Sequence, residues 1–369
     1  MPGTFPSRLA LFILALPLAV AAGTREHEIQ FRRNDYPAPV APARLQAAGI
    51  SKAILRVFSD DERNGGLYYA SGLFPVVRPA LDPWAAAYTG SAVRLWAWMG
   101  VRKFAWLDDP RLLDREWREG TASLIPKLDL FNPQAQDLIA GLFASLARLP
   151  ICGILVQDDL AILRNEGFSS WGKASFHLAS GLAAEPRRML AVDSDAGRVW
   201  EDLKAQRVSG TLNGILSACR GSNPAVAVGI NVHYEAPLTP QKARAWYGFD
   251  VQAIKTSAAD LFYLMAYHRQ LKAEMRLGES ENRLYFRRML EEALKLWGAR
   301  LAVKLQVRDW KSSQPIPFPE LKAYYDLIPA GVDRVCFAAA DPEDLDLISK
   351  VIAQRSTSVS DSVSVSNGK

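Results

Sequence analysis

Short apolar runs that break off abruptly at polar or charged residues recur along the chain, at 53–58, 93–99, 151–156, 225–232, 260–266, 301–307 and 334–338. Several are apolar on both faces, which suits strands covered on both sides, as in parallel sheets. The second alternates instead, with Val93, Leu95, Ala97 and Met99 on one face and Arg94, Trp96 and Trp98 on the other. Between the runs the apolar period changes to that of helices. Asn132-Pro133 supplies an N-cap and a first-turn proline, and Leu138, Leu142, Leu146 and Leu149 keep a helical face behind it. Further helices are expected at 43–48, 199–219, 239–247, 282–297 and 319–327, with 161–176 as a loop.

Seven strands alternating with helices predict a parallel α/β architecture. The spacing is too even for two domains. A TIM-like (β/α) barrel is favoured over an open sheet, with one irregular region, 67–77, as the place where another strand would hide. No Gly-rich phosphate loop follows any strand, which counts against a nucleotide-binding fold.

Composition narrows the picture further. A chain of 369 residues that is 49% hydrophobic can bury one large core. The net charge of +5 is mild, the basic residues are scattered, and no zinc-finger or RNA-binding spacing is present, so nucleic acid is not an expected partner. Arg8, the apolar run 9–20 and the small residues at 19–21 have the form of a secretory signal peptide over 1–21, with an uncleaved anchor as the alternative. A periplasmic or secreted protein is therefore expected. Residues 22–42 read as a charged, proline-bearing linker, 43–354 as the barrel, and 355–369 as a disordered Ser/Val tail. Cys152, Cys219 and Cys336 lie far apart with no metal-ligand spacing, and no cofactor is expected.

The polar residues at the strand ends carry the chemistry. They are Asp60 and Asp61, Trp98, Asp158 and Asp159, His233 and Glu235, Tyr267 and His268, Gln306, Asp309 and Trp310. In an α/β barrel such residues crowd the C-terminal rim, where these folds place their sites. Carboxylates among Trp and Tyr suit a carbohydrate cleft, because aromatic faces stack on sugar rings while acids act on the glycosidic oxygen. Each has a plainer reading. Asp158-Asp159 could cap a helix or pair with Arg164, Asp60-Asp61 could be loop charge, and core packing accounts for at least one of Trp96 and Trp98, Trp98 being preferred for the cleft. The exposed loop position of Trp310 is harder to explain as core.

Six motifs in order then carry a resemblance: Phe58-Ser-Asp60, Leu67-Tyr-Tyr69 with Phe74-Pro-Val76, Trp96-Ala-Trp-Met99, Phe131-Asn-Pro133, Gly153-Ile-Leu-Val-Gln-Asp-Asp159 and Leu305-Gln-Val-Arg-Asp-Trp310. Residues 54–348 resemble the C-terminal glycoside hydrolase domain of the bacterial poly-β-1,6-N-acetylglucosamine deacetylase/hydrolase of biofilm export. The resemblance implies a TIM-like barrel cleaving partially de-N-acetylated polymer, with Asp159, Asp158 beside it, as the catalytic acid. Asp60, Trp98 and Trp310 would line the sugar subsites, with Glu235, Tyr267, His268 and Gln306 as further substrate contacts at the strand ends. Exopolysaccharide export machinery is the implied partner. The metal-dependent deacetylase domain of that family has no counterpart here.

The chain departs from the family pattern at Gln157, where His is usual, at Met99-Gly100, and at Lys304, where an acid is usual. Its last strand ends in Ala338-Ala-Ala-Asp341. Glu235, Glu166 and Asp309 are candidates for a second carboxylate. An acid-rich rim would attract the ammonium groups of free glucosamine. Three readings stay open: an endo-hydrolase of an amino-sugar polymer, a glycan-binding barrel without catalysis, and a hydrolase of another glycan.

Overall fold

A computed structural model of the chain describes residues 25–364 except 34, 37, 64 and 75. Eight parallel strands form a closed barrel. They are β1 (Glu26–Phe31), β2 (Lys52–Arg56), β3 (Arg94–Met99), β4 (Gly153–Val156), β5 (Ala227–Val232), β6 (Leu261–Ala266), β7 (Leu301–Gln306) and β8 (Arg334–Ala340). Each pairs with its neighbours in sequence, and β8 returns to β1 from Glu26↔Arg334 to Ile29↔Phe337. The TIM-like barrel is thus the observed fold, and the seven expected strands are all present within a few residues of their expected bounds.

The eighth strand is not where it was expected. Residues 67–77 add no barrel strand; Gly66–Leu67 pairs antiparallel with Phe58–Ser59 in a small ribbon. The missing strand is β1, inside the stretch read as linker. Its sequence, Glu-His-Glu-Ile-Gln-Phe, hides it. Ile29 and Phe31 pack into the outer core, while Glu28 and Gln30 are polar residues in a strand buried on both faces. A polar inward face removes the apolar run by which buried strands announce themselves.

Two other expectations change. The segment 161–176 is only partly loop, because a helix begins at Ser170, capped by Ser169. At the other end the helix Leu345–Ser364 takes in most of the stretch read as a disordered tail. The expected signal peptide, 1–21, lies outside the described residues. No described helix is long and apolar enough to cross a membrane.

Each strand divides its side chains between two cores. Ile154 and Val156 of β4, like Phe262 and Leu264 of β6, face the surrounding helices, whereas Leu155 and Tyr263 join Ile54, Trp96, Ala302 and Cys336 inside the barrel. Trp96 is the largest of the inner group, and two glycines make room for it. A Cβ on Gly153 would lie 2.3 Å from the Trp96 ring, and one on Gly229 would lie 2.6 Å from Tyr263. Lys52 is buried beside them, its Nζ 2.5 Å from Glu28, 3.1 Å from the Tyr263 hydroxyl and 4.2 Å from the centre of the Trp96 ring.

Candidate functional site at the barrel mouth

Beyond the C-terminal end of β4 the chain turns through Asp158 and Asp159, and the two carboxylates have different surroundings. Asp159 is held by the backbone of the loop after β3. The amides of Val101, Arg102 and Lys103 donate to its carboxylate at 2.9, 2.7 and 2.7 Å. Burial pushes its pKa above the usual carboxylate range, while the three amides pull it down and Asp158 pushes it up. Asp159 therefore works as a latch between the β3 and β4 loops.

Arg102 fixes the loop that supplies those amides. Its guanidinium is fully buried, bonding the carbonyls of Leu128 and Ala161 and the carboxylates of Glu166 (2.8 Å) and Asp114 (2.7 Å). Lys127 reaches the other Glu166 oxygen at 2.5 Å. Glu166, one of the candidates for a second carboxylate, is thus a buried structural acid. Burial pushes Asp114 up to about 7 against the pull of Arg102, with Asp129 and Glu166 adding to the rise.

Asp158 makes no ion pair or hydrogen bond with any described group. It is half-buried, and besides Asp159 its charge acts on Tyr267 and Lys304. Lys304 is an inward residue of β7. Its Nζ bonds Asn231 Oδ1 at 2.8 Å and lies 5.9 Å from the Trp98 ring and 5.8 Å from the Tyr267 ring. Burial lowers Lys304 to about 8, offset in part by Cys336, Asp158 and Glu28. Burial also holds the Tyr267 phenol well above its ordinary range, and Asp158 adds to this. Lys304 thus draws together Asp158, Trp98 and Tyr267, three of the residues nominated from sequence.

Several polar atoms here have no protein partner. Both amide atoms of Gln306, Oε1 of Gln157, Oε1 of Gln30 and Nε1 of Trp98 are buried without a hydrogen bond. All belong to residues at the C-terminal ends of β7, β4, β1 and β3. Buried polar atoms are nearly always satisfied, so such a concentration calls for water or a polar ligand. β8, between the strands that carry Gln306 and Gln30, holds the small residue Ala338, and Ala339 has a φ of 58° at an irregularity in the β1–β8 pairing. Bulges of this kind re-aim side chains beside sites.

The remaining nominated residues fare differently. Asp60, on the loop after β2, pairs with Arg56 at 2.6 Å and Lys103 at 3.0 Å, and these two cations hold it below the usual carboxylate range despite partial burial. Trp310 is 52% exposed on the loop after β7. Asp309, also considered for a second carboxylate, is occupied by the amides of Lys311 and Ser312 and by Arg269. Glu235 is buried; Tyr247 donates to its Oε1 at 3.0 Å, and its Oε2 has no partner. Next to it, His233 stacks on Tyr247 with ring centres 4.4 Å apart.

His268 does not join Tyr267 at the mouth. The residue after an inward one points outward, and His268 stacks on Tyr324 of the helix Phe318–Asp326 and bonds Glu320 at 2.9 Å. It lines a separate cavity of about 890 Å³ with Arg269, Arg276 and Asn282. The acid-rich rim expected from sequence is correspondingly thinner, because Asp159, Asp60, Glu166 and Asp309 are all engaged by protein groups.

Sequence reading passed over Asn231, Gln30 and Arg102, and registered Lys304 only as a departure. A signal was available for the first two and for Lys304: each is a polar residue inside a strand buried on both faces, at an inward position.

Residues 42–337 match the family model described as hypothetical glycosyl hydrolase family 13. Among solved structures, the glycoside hydrolase domain of PgaB (BpsB) from Bordetella bronchiseptica superposes with a TM-score of 0.72 at 18% identity, covering 89% of this chain and 99% of that one. The β-galactosidases of the psychrophile Marinomonas ef1 (TM-score 0.63, 10% identity) and of Rahnella sp. R3 (0.61, 11%) share the fold over 92% and 90% of this chain. This chain spans 60% and 56% of their lengths. No curated protein sequence matches the chain.

Proposed function

This chain belongs to the hypothetical glycosyl hydrolase family 13, and on that footing we propose that it is an exported, endo-acting hydrolase of a poly-β-1,6-N-acetylglucosamine-like polysaccharide. The ordered motifs from Phe58 to Trp310 support the polymer, and the barrel that it shares with the PgaB hydrolase domain supports the architecture. The catalytic carboxyl is Asp158. The observation that carries this assignment is its freedom: it meets the mouth with no protein partner, while the adjacent Asp159 is held by three amides. Glycoside hydrolysis needs a carboxyl free to give a proton to the leaving oxygen, and a latched carboxylate cannot turn toward it.

In this reading Trp98 and Tyr267 form the walls against which a sugar ring packs beside Asp158, and Trp310, on its exposed loop, takes a more distant ring of the chain. Residues 1–21 direct the protein out of the cytoplasm, where the polymer and its export machinery would be met. N-terminal sequencing of the protein from a periplasmic fraction, with the mature chain beginning after residue 21, tests that part.

The central test is product analysis by mass spectrometry after incubating the protein with partially de-N-acetylated poly-β-1,6-N-acetylglucosamine, chitin and an α-glucan. A ladder of oligosaccharides from the first alone, lost in Asp158→Asn, is expected. Products from another glycan would redirect the substrate. Calorimetric binding without products on prolonged incubation would leave a glycan-binding barrel in place of an enzyme.

A further inference from the structure

We infer that the cleft selects stretches of polymer whose sugars carry no free amine, and that Lys304 is the specificity-determining residue. This rests on the reading of Asp158 as the reacting carboxyl and deepens it.

The charges inside the barrel cancel. Glu28 is neutralised by Lys52 at 2.5 Å. Asp158 has no ion-pair partner among the described residues, and its charge acts on Lys304, whose Nζ is anchored by Asn231 at 2.8 Å and lies 5.9 and 5.8 Å from the Trp98 and Tyr267 rings. A glucosamine unit beside Asp158 would bring a second ammonium to a place where one already balances the carboxylate. Lys304 Nζ stands 5.9 and 5.8 Å from the Trp98 and Tyr267 rings, so an ammonium on a sugar packed against either ring would meet a like charge within about 10 Å, which in a partly buried site disfavours binding by about tenfold. Nor do the neighbouring acids compensate, because Asp60 is held by Arg56 and Lys103 and Asp159 by the backbone.

The polar atoms left over suit an uncharged amide. Gln306 offers a donor and an acceptor, and Gln157 and Gln30 each an acceptor, all without a protein partner. An acetamido group presents the complementary carbonyl and N–H, which these side chains can meet directly or through one water. A free ammonium presents donors only and leaves the Gln306 Nε2 donor without its acceptor.

The test uses matched β-1,6-linked glucosamine hexamers, fully N-acetylated and fully de-N-acetylated, with a β-1,4-linked pair beside them. Binding is measured by calorimetry and cleavage by mass spectrometry, for the wild type, Lys304→Met and Lys304→Glu. The wild type is expected to favour the acetylated member of a pair by about tenfold or more. Lys304→Met should bring the ratio to within about twofold, and Lys304→Glu should reverse it. A change in stability alone would shift both members equally, so the ratio separates specificity from folding. Should the glutamate variant fail to fold, the methionine variant carries the comparison. Preference for acetylated sugars without cleavage, lost in Lys304→Met, sustains the inference while refuting the hydrolase reading. Equal or tighter binding of the amine-bearing hexamers by the wild type, a ratio unmoved by either variant, or no binding to any hexamer would overturn it.

Discussion

Asp159 and Arg102 are joined through backbone and not through charge: the Arg102 amide donates to the Asp159 carboxylate at 2.7 Å, while the Arg102 guanidinium points away to Asp114 and Glu166. One residue thus fastens the β4 loop by its main chain and the hairpin Leu113–Leu128 by its side chain. The arrangement gives the two adjacent acids separable roles.

Asp158→Asn and Asp159→Asn should accordingly fail in different ways. The first should keep the wild-type melting temperature and lose cleavage by about a thousandfold or more, as expected when a catalytic carboxyl is removed. The second places an amide NH2 against backbone donors and should cost about 1–3 kcal/mol of stability, read by urea unfolding. A stable, inactive Asp159→Asn protein beside an active Asp158→Asn protein would exchange the assignments.

Arg102→Met should be among the most damaging single changes in the barrel. It strands Asp114 and Glu166 in the interior with Lys127 as their remaining close cation, and breaking a buried ion pair from one side costs about 3–5 kcal/mol. Denaturant midpoints of Arg102→Met and of the triple variant Arg102→Met, Asp114→Asn, Glu166→Gln test this, the triple recovering part of the loss.

Gly153→Ala tests the packing of the inner core. Its methyl would fall 2.3 Å from the Trp96 ring, a distance no real contact permits, so ring or strand must move. A loss of about 1–3 kcal/mol is expected from such overpacking. The Trp96→Leu background should remove most of the penalty, which a thermal-melt cycle would register.

His27 predicts the acid side of the stability profile. Burial lowers it to about 4, against a weaker upward pull from Glu26, and its Nε2 lies 2.8 Å from the Tyr325 hydroxyl. An unfolded histidine takes up a proton near pH 6.5, which the folded one refuses until about pH 4. Its contribution is therefore intact above pH 6.5 and falls by about 3 kcal/mol on the way to pH 4. His27→Gln should flatten that part of the urea-unfolding profile relative to wild type; parallel profiles would contradict it.

Trp310→Ala should leave the melting temperature within about 1 °C, because an indole half exposed on a loop contributes little to the core. Affinity for long oligosaccharides should drop about tenfold, in line with the loss of a stacking aromatic, while that for disaccharides is unchanged. Equal losses for both lengths would place Trp310 beside Asp158 instead.

The amino-acid sequence by itself determined the architecture and most of its parts. Seven strands were legible because strands buried on both faces are mostly apolar and the second alternates with period two, and the helix at Pro133–Ala147 because Asn132 caps it as the pattern requires. It also marked out the C-terminal end of the barrel, since strand ends show a sudden change to polar residues. The tertiary structure alone decided which polar residue does what. β1 escaped notice because its inward face is Glu28 and Gln30, and the burial of Glu28 is made tolerable by Lys52 on the neighbouring strand. Asp158 and Asp159 are equivalent as letters, and only the loop from Val101 to Lys103, more than fifty positions earlier, makes one a latch and leaves the other facing the mouth. Tyr267 and His268 likewise separate because successive residues at a strand end face opposite ways. Alternation and charge pairing are properties of neighbours in space, and a linear pattern records those neighbours only when they are also apolar.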